Sequence, residues 1–520
     1  MSDRPNFLIL MADQLGARAL PAYGNRVAKT PQIDALAADG VVFDSFYCNS
    51  PLCAPSRFSF LSGRQVSAIG AYDNAAEFPA QVPTFAHHLR RAGYQTVLSG
   101  KMHFCGADQL HGFEERLTTD IYPADVDWTP DWSRPLDRPL PWYHTMESVL
   151  TPGVCAASMQ TDYDQEVAFH AVRKLYEIAR YRRDQPFLLF VSFTNPHDPW
   201  EIPARYWARY RREQIDAPSV ASLPLDQVDP HSRRLRAMCR VDEAGLTIEQ
   251  IRRARHGYYA AISYLDERVG EVLGALRESG LDDRTTVLFT ADHGEMLGER
   301  GLWYKMSFLE HSARVPLIVR RPAMTGPGRR VSEPVSLIDV APTLLELAGL
   351  GVDAIAGEGD GVSLAAAVTG AGSSPEHPIL SEYHAEGVHA PSAMVRSARH
   401  KLIVSLEDPN LLYDLRDDPR ELGDLARGGA HEPTVAALTD ELTRRLDLAG
   451  IDRRVRAGQR ERRLVSRALR QGRYTAWDYQ PEVDATLRYV RNREDLYERQ
   501  RRARLDSGDP DHPYDVIPPH

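Results

Sequence analysis

Cysteine is scarce in this sequence, and what there is does not form a framework. Cys48, Cys53, Cys105, Cys155 and Cys239 are an odd five spread over 520 residues. No pair has zinc-site spacing, and a disulfide scaffold is not expected of so sparse a set. Long hydrophobic runs are missing too. None approaches the ~20 apolar residues that a membrane-crossing helix needs, so no membrane partner is expected. A basic leader is also lacking. Met1-Ser2-Asp3-Arg4-Pro5 passes directly into the short apolar run Phe7–Met11, which stops at Asp13. This reads as a buried strand and not as a secretion signal, and a cytoplasmic location is expected. Nor is there an excess of positive charge. Lys and Arg number 62 against 72 Asp and Glu, a formal net charge of −10. The overall field therefore disfavours nucleic acid. Internal repeats and long low-complexity segments are absent from the sequence.

What is present is an ordinary folded composition, 43% hydrophobic and 26% charged, with length for several domains. Four apolar runs share one habit: each ends in a polar cluster. Phe7–Met11 leads into Asp13-Gln14, and Thr96–Leu98 into Gly100-Lys101-Met102-His103. Phe187–Val191 leads into Asn195-Pro196-His197-Asp198-Pro199, and Thr286–Phe289 into Asp292-His293-Gly294. Continuous apolar runs suit strands buried on both faces. Between them lie helical patterns, the best being Ile262, Leu265, Val269, Val272, Leu273 and Leu276, with Gly280 as a stop. Strands alternating with helices predict an α/β sheet, with ligands beyond the carboxyl ends of the strands. All four polar clusters sit there.

The composition changes after about residue 350. A glycine-rich connection at Gly357–Gly361 precedes two short strand-like runs, 400–404 and 411–415. The expected division is a catalytic α/β domain over 1–370, a smaller α+β subdomain over 371–450, and an extension over 451–520. Residues 451–475 hold nine arginines against Asp452 and Glu461. They lack the interleaved aromatics of a nucleic-acid module, so this face is expected to be solvated or paired with the acidic body.

The most specific segment is Leu52-Cys53-Ala54-Pro55-Ser56-Arg57, followed by Leu61-Ser62-Gly63-Arg64. With it the chain resembles the sulfatase family, whose signature is Cys-x-Pro-Ser-Arg. The resemblance implies an alkaline-phosphatase-like mixed sheet flanked by helices. It also implies that host maturation machinery oxidises Cys53 to formylglycine, whose hydrate is the nucleophile. Asp13, Gln14, Cys53, Asp292 and His293 match positions around a divalent cation, calcium first, with magnesium or manganese as alternatives. Many members have Asp-Asp where this chain has Asp13-Gln14, so the site has one negative charge fewer. By the same resemblance, Arg57, Lys101 and Lys305 supply positive charge to the sulfate. His103 binds the second hydroxyl of the hydrate, and His197 faces the leaving oxygen.

Within the family the resemblance is to choline sulfatases. It is carried by Tyr72-Asp73-Asn74-Ala75-Ala76-Glu77, by His111–Asp125 and by Tyr474–Pro481. It implies that Asn74, Trp128, His144 and Glu386 hold the choline end of a small sulfate ester. A quaternary ammonium is read by aromatic faces and a carboxylate. Trp132, Trp142 and Tyr143 are expected to be core or contact residues instead. Beyond about residue 470, Tyr474, Trp477, Tyr479, Tyr489 and Tyr497 lie among arginines, a composition of interfaces. A homo-oligomer assembled through this tail is expected, a dimer or tetramer. The competing enzyme reading is a phosphonate monoester or phosphodiester hydrolase. The non-enzyme alternative is nucleic-acid binding by the basic stretch.

Overall fold

A computed structural model of the chain describes residues 4–122, 126–134, 144–322, 328–351, 359–473 and 479–481, with 495 and 500. Eight strands form one sheet: β1 (Asn6–Ala12), β2 (Val41–Phe43), β3 (Gln95–Gly100), β4 (Glu115–Arg116), β5 (Phe187–Ser192), β6 (Thr285–Ala291), β7 (Leu317–Arg320) and β8 (Arg329–Val331). Their order is β8-β2-β7-β6-β1-β5-β3-β4. Only β7 runs antiparallel to its neighbours, so the sheet is mixed. The four apolar runs read from the sequence are β1, β3, β5 and β6, and they are adjacent. Leu8 of β1 lies between Leu189 and Val287, and Leu10 between Val191 and Phe289. Every residue of β1 is buried, which is why the run carries no alternation.

Five helices matter for the site: α1 (Cys53–Ser62), α2 (Met159–Tyr181), α3 (Ile248–Glu278), α4 (Glu432–Arg445) and α5 (Leu448–Leu469). Ser99 of β3 donates to the Val167 carbonyl of α2 at 2.9 Å. Phe190, in register with Leu98, instead meets Phe60 of α1 edge-on at 5.8 Å. Neighbouring strand residues face opposite ways, so α1 and α2 cover opposite faces. The α3 positions read from the sequence, Ile262 to Leu276, are all buried. The helix starts at a Thr247–Gln250 capping box.

Further along lies an antiparallel sheet of β9 (Ile379–Tyr383), β10 (Ser392–Arg396), β11 (His400–Ser405) and β12 (Leu411–Asp414). The expected runs at 400–404 and 411–415 are β11 and β12. β9 and β10 escaped the sequence reading. The arginine-rich stretch falls largely on α5, and it pairs with acids of the main body. Arg462 reaches both oxygens of Asp73 at 2.5 and 2.6 Å. Arg463 reaches Asp131 at 2.5 Å and Arg470 reaches Asp127 at 3.3 Å. On another side of α5, Leu464, Val465 and Leu469 are exposed. The Tyr479 ring lies 5.8 Å from the Arg116 guanidinium of the same chain. Trp142, Tyr143, Tyr474, Trp477, Tyr489 and Tyr497 lie outside the described residues. Among the described residues, no helix is long and apolar enough to cross a membrane.

One glycine shows how tightly the strand ends are fixed. Gly100 has φ +111°, and a Cβ there would sit 2.0 Å from the Ser192 carbonyl oxygen. That neighbour is backbone in a central strand and cannot yield. Gly100→Ala is expected to cost about 2–4 kcal/mol through strain and overpacking. It should lower the thermal unfolding midpoint and displace Lys101 with loss of turnover. A parent-like midpoint would contradict this packing.

Candidate active site

The Cys53 segment has a physical reason at each position. Cys53 is the first residue of α1, and Leu52 before it provides no side-chain cap. Pro55 has no N–H to satisfy. The Ala54 N–H donates to Asn74 Oδ1 at 2.9 Å, a cap supplied from another segment. Ser56 donates to the Asp292 carbonyl at 2.5 Å. Arg57, fully buried, donates from Nε to Asp292 at 2.8 Å and from one terminal nitrogen to Asp13 at 3.1 Å. Its other terminal nitrogen donates to the Lys101 carbonyl at 2.7 Å and to Ser192 at 2.8 Å. Arg57 thus lies behind the cluster and orients two carboxylates; these contacts give it a positioning role.

Asp13, Cys53, Asp292 and His293 bring donor atoms within 4.8 Å of one another, all buried. His293 Nδ1 donates to the Gly294 carbonyl at 3.0 Å, which leaves Nε2 as the lone-pair nitrogen, 3.2 Å from Cys53 Sγ. Asp13 Oδ1 is buried without a hydrogen-bond partner. A buried anionic oxygen left in this way fits a cation, and two carboxylates suit a hard divalent one. Burial alone would raise the Asp13 pKa, yet Lys101, with His197 and Arg57, holds it at about 2. Gln14 differs from its expected place. Its amide oxygen accepts from Lys305 Nζ at 2.6 Å, and its Nε2 donates to Glu295 at 2.5 Å and Asp198 at 3.3 Å. Burial pushes the neighbouring Glu295 up to about 7.

The remaining polar residues converge on Cys53. Lys101 Nζ pairs with Asp13 and lies 4.7 Å over the Tyr122 ring. Lys305 Nζ also donates to His197 Nε2 at 2.9 Å, while His197 Nδ1 faces the Asp198 carbonyl at 2.7 Å. Burial would push the Cys53 thiol up, but the Lys101 and Lys305 ammonium groups, with His103 beside it, pull it well below its usual value. An interior position that favours negative charge is what an anionic ester needs.

Two acids that the sequence reading passed over hold the loops. Asp120 accepts from the Met102 and His103 N–H groups at 3.0 and 2.7 Å. Asp164, on α2, accepts from the Thr194 and Asn195 N–H groups and from the Asn195 amide, at 2.6, 2.9 and 2.8 Å. Burial raises its pKa to about 6. Nothing in the sequence separates Asp164 from Asp162 and Glu166, its exposed neighbours on α2.

A family model described as Sulfatase matches residues 5–350. The chain belongs to the sulfatase family. It is an enzyme of sulfuric ester hydrolysis, and membership implies a divalent metal and a formylglycine. Two further models match its later parts: N-sulphoglucosamine sulphohydrolase, C-terminal, over 298–447, and Choline sulfatase enzyme C terminal, over 453–505. The sulfatase is 46% identical over 499 residues to a choline-sulfatase of Rhizobium meliloti (strain 1021), covering 95% of this chain and 97% of that one. It is 30% identical over 464 residues to arylsulfatase K of Danio rerio, covering 85% and 83%. Its fold matches the crystal structure of a phosphonate monoester hydrolase of Agrobacterium radiobacter with TM-score 0.68 and 24% identity, over 88% and 96% of the two chains. The alkaline-phosphatase-like arrangement implied by the sequence is therefore the fold of this sulfatase.

The residues assigned to the alcohol side come from other segments. The Trp128 ring meets that of His103 at 6.1 Å, and His144 stacks on Tyr304 at 4.7 Å, one residue before Lys305. Glu386 is buried just beyond β9. Trp132, as expected, is a packing residue: its Nε1 donates to the Ala385 carbonyl at 2.8 Å.

Dialysis of the sulfatase against a chelator is expected to lower its thermal midpoint and abolish turnover, with both restored by the divalent cation. Asp13→Asn should remove the metal-dependent part of the midpoint. A chelator-treated protein with an unchanged midpoint would mean that Asp13 and Asp292 do not hold a cation.

Proposed function

We propose that this sulfatase hydrolyses choline O-sulfate to choline and sulfate. The observation that carries the reading is the 46% identity to a choline-sulfatase over 95% of the chain. The chemistry agrees with it. A quaternary ammonium offers no hydrogen bonds and calls for an aromatic face and a carboxylate; Trp128, His144 and Glu386 are the proposed set, while Asn74, whose side-chain oxygen caps Ala54, positions the Cys53 helix. Lys101 and Lys305 bind the sulfate oxygens. His197 Nε2 accepts from the Lys305 ammonium, so a proton passed from Lys305 to Nε2 is the one returned to the departing choline oxygen. His103 flanks the reactive position and binds the second hydroxyl of the hydrate. A formylglycine formed at Cys53 by the maturation machinery would supply the attacking oxygen, and a divalent cation, proposed to be calcium held by Asp13, Asp292 and His293, would offset the charge that gathers there; the Gln14 oxygen is taken by Lys305 instead. The enzyme is further proposed to be cytoplasmic and to assemble as a homo-oligomer through its C-terminal extension.

Peptide mass across Cys53 should report the aldehyde, and Cys53→Ala should abolish hydrolysis while leaving the fold intact. Retention of parent-like activity would remove Cys53 as the nucleophile.

A second comparison concerns selectivity. Losing one cation–π partner or one paired carboxylate costs about 0.5–2 kcal/mol, roughly 2- to 30-fold in kcat/KM. Trp128→Ala and Glu386→Gln should impose that loss on choline sulfate and leave an uncharged aryl sulfate nearly untouched. Equal losses on both esters, or faster turnover of a phosphonate monoester by the parent, would overturn the choline assignment.

A further inference from the structure

The C-terminal helix α5 reaches the segment that caps the Cys53 helix. Arg462 places both terminal nitrogens on the two carboxylate oxygens of Asp73, at 2.5 and 2.6 Å. Asp73 is fully buried. The same carboxylate accepts from the Ala75 N–H at 3.0 Å, and the Asp73 carbonyl accepts from the Ala76 N–H at 3.1 Å. Residues 73–76 are thus a tight turn with Arg462 as its anchor. About two turns earlier on α5, Arg454 donates from Nε to the Tyr72 hydroxyl at 3.1 Å. Two arginines of one helix therefore grip the two residues that precede Asn74.

Asn74 carries this grip to the reactive residue. Its Oδ1 takes the Ala54 N–H at 2.9 Å, a helix donor that Leu52 cannot satisfy. A free N–H at the second position of a helix is normally met by the residue just before the helix. Here the cap comes from a turn whose own conformation depends on a carboxylate neutralised by Arg462. A buried carboxylate that loses its partner is strongly destabilised. Without Arg462 the turn would shift to relieve that charge, and Asn74 with it.

We propose that Arg462 is a positioning residue for the sulfatase reaction, acting through Asp73 and Asn74 on the first turn of the helix that carries Cys53. The inference rests on Cys53 as the reactive residue. It gives the C-terminal stretch, within which Arg462 lies, a task inside its own subunit. Bidentate geometry is required, so lysine is a partial substitute only.

The test uses the full-length enzyme in five forms: parent, Arg462→Met, Arg462→Lys, Asp73→Asn, and the Arg462→Met/Asp73→Asn double variant. Arg460→Met on the exposed side of α5 and Arg463→Met, which breaks a neighbouring pair, are the controls. Turnover of choline sulfate is divided by the fraction of Cys53 converted, read from peptide mass, and thermal midpoints are recorded alongside. In Arg462→Met, kcat per converted site should fall by about tenfold or more, as for a small misplacement of a reacting group. KM should change little. Arg462→Lys should recover part of the loss, and Arg460→Met should lose nothing. The double variant should be no slower than the slower single, because both substitutions cut one path. Unchanged kcat per converted site in Arg462→Met would overturn the proposal. So would multiplying losses in the double variant, or an equal fall of kcat in Arg463→Met at equal midpoint. Full activity in Cys53→Ala, run beside them, would overturn the nucleophile assignment and this inference together.

Discussion

The guanidinium of Arg57 lies in the interior between Asp13 and Asp292, with no exposed atom. Those two acids end the neighbouring strands β1 and β6, whose backbones run in register up to Ala12 and Ala291. Two carboxylates held close together in a low-dielectric interior repel one another, and a cation between them reverses that sign. Arg57 does so from behind, on α1, and so ties the position of Cys53, four residues earlier, to the sheet edge. A buried pair of this kind adds little net stability, because desolvation offsets most of the attraction. Its value is geometric. Arg57 leaves Asp13 Oδ1 uncovered on the opposite side, where a divalent cation fits.

The loops beyond the other two central strands are fixed by acids as well. Asp120 holds the backbone at Met102 and His103 after β3. Asp164 holds Thr194 and Asn195 after β5. Buried carboxylates that accept main-chain N–H groups set loop conformation more rigidly than apolar contacts, since a lost bond leaves a charge without compensation. The lysines and histidines named in the sulfatase site therefore come from loops anchored within a few residues of the rigid sheet. Preorganisation of this sort is what electrostatic stabilisation of a charged transition state requires.

Much of this was legible in the sequence, and the remainder was hidden for identifiable reasons. Apolar runs that stop at polar clusters report strands buried on both faces, so β1, β3, β5 and β6 and their shared edge could be read directly. β2, β7 and β8 have only three or four residues, too few to show a period. The residue types at the site were readable, but their partners were not. Gln14 adopts φ 62°, which turns its side chain from the path of a regular strand, and its oxygen meets Lys305. Asn74 looked like a substrate contact, yet its oxygen caps α1 across 20 residues of chain. Neither direction follows from spacing. The arginines of α5 were expected to be solvated or paired with the acidic body, and which acids they meet depends on where 72–74 and 127–131 pass in space.

The two halves of an ester place different demands on this scaffold. Sulfate chemistry is served by strand ends, and those elements are the ones covered by the general sulfatase model over residues 5–350. Trp128, His144 and Glu386, the residues proposed for the alcohol, come from segments laid over those strand ends. Trp132 shows how that cover is joined. Its indole N–H holds the Ala385 carbonyl beside Glu386. Its backbone N–H donates to Gln459 of α5 at 3.0 Å, and the Arg456 guanidinium lies 5.5 Å from its ring. Asp127, next to Trp128, is held by Ser466 at 2.5 Å. The segments bearing Trp128 and Glu386 thus share one support, α5, which lies outside the strand framework. A substitution in α5 away from Arg462 can therefore alter which alcohol is accepted without touching a residue that binds sulfate, whereas a change at Arg57, Asp164 or Arg462 cannot spare the chemistry.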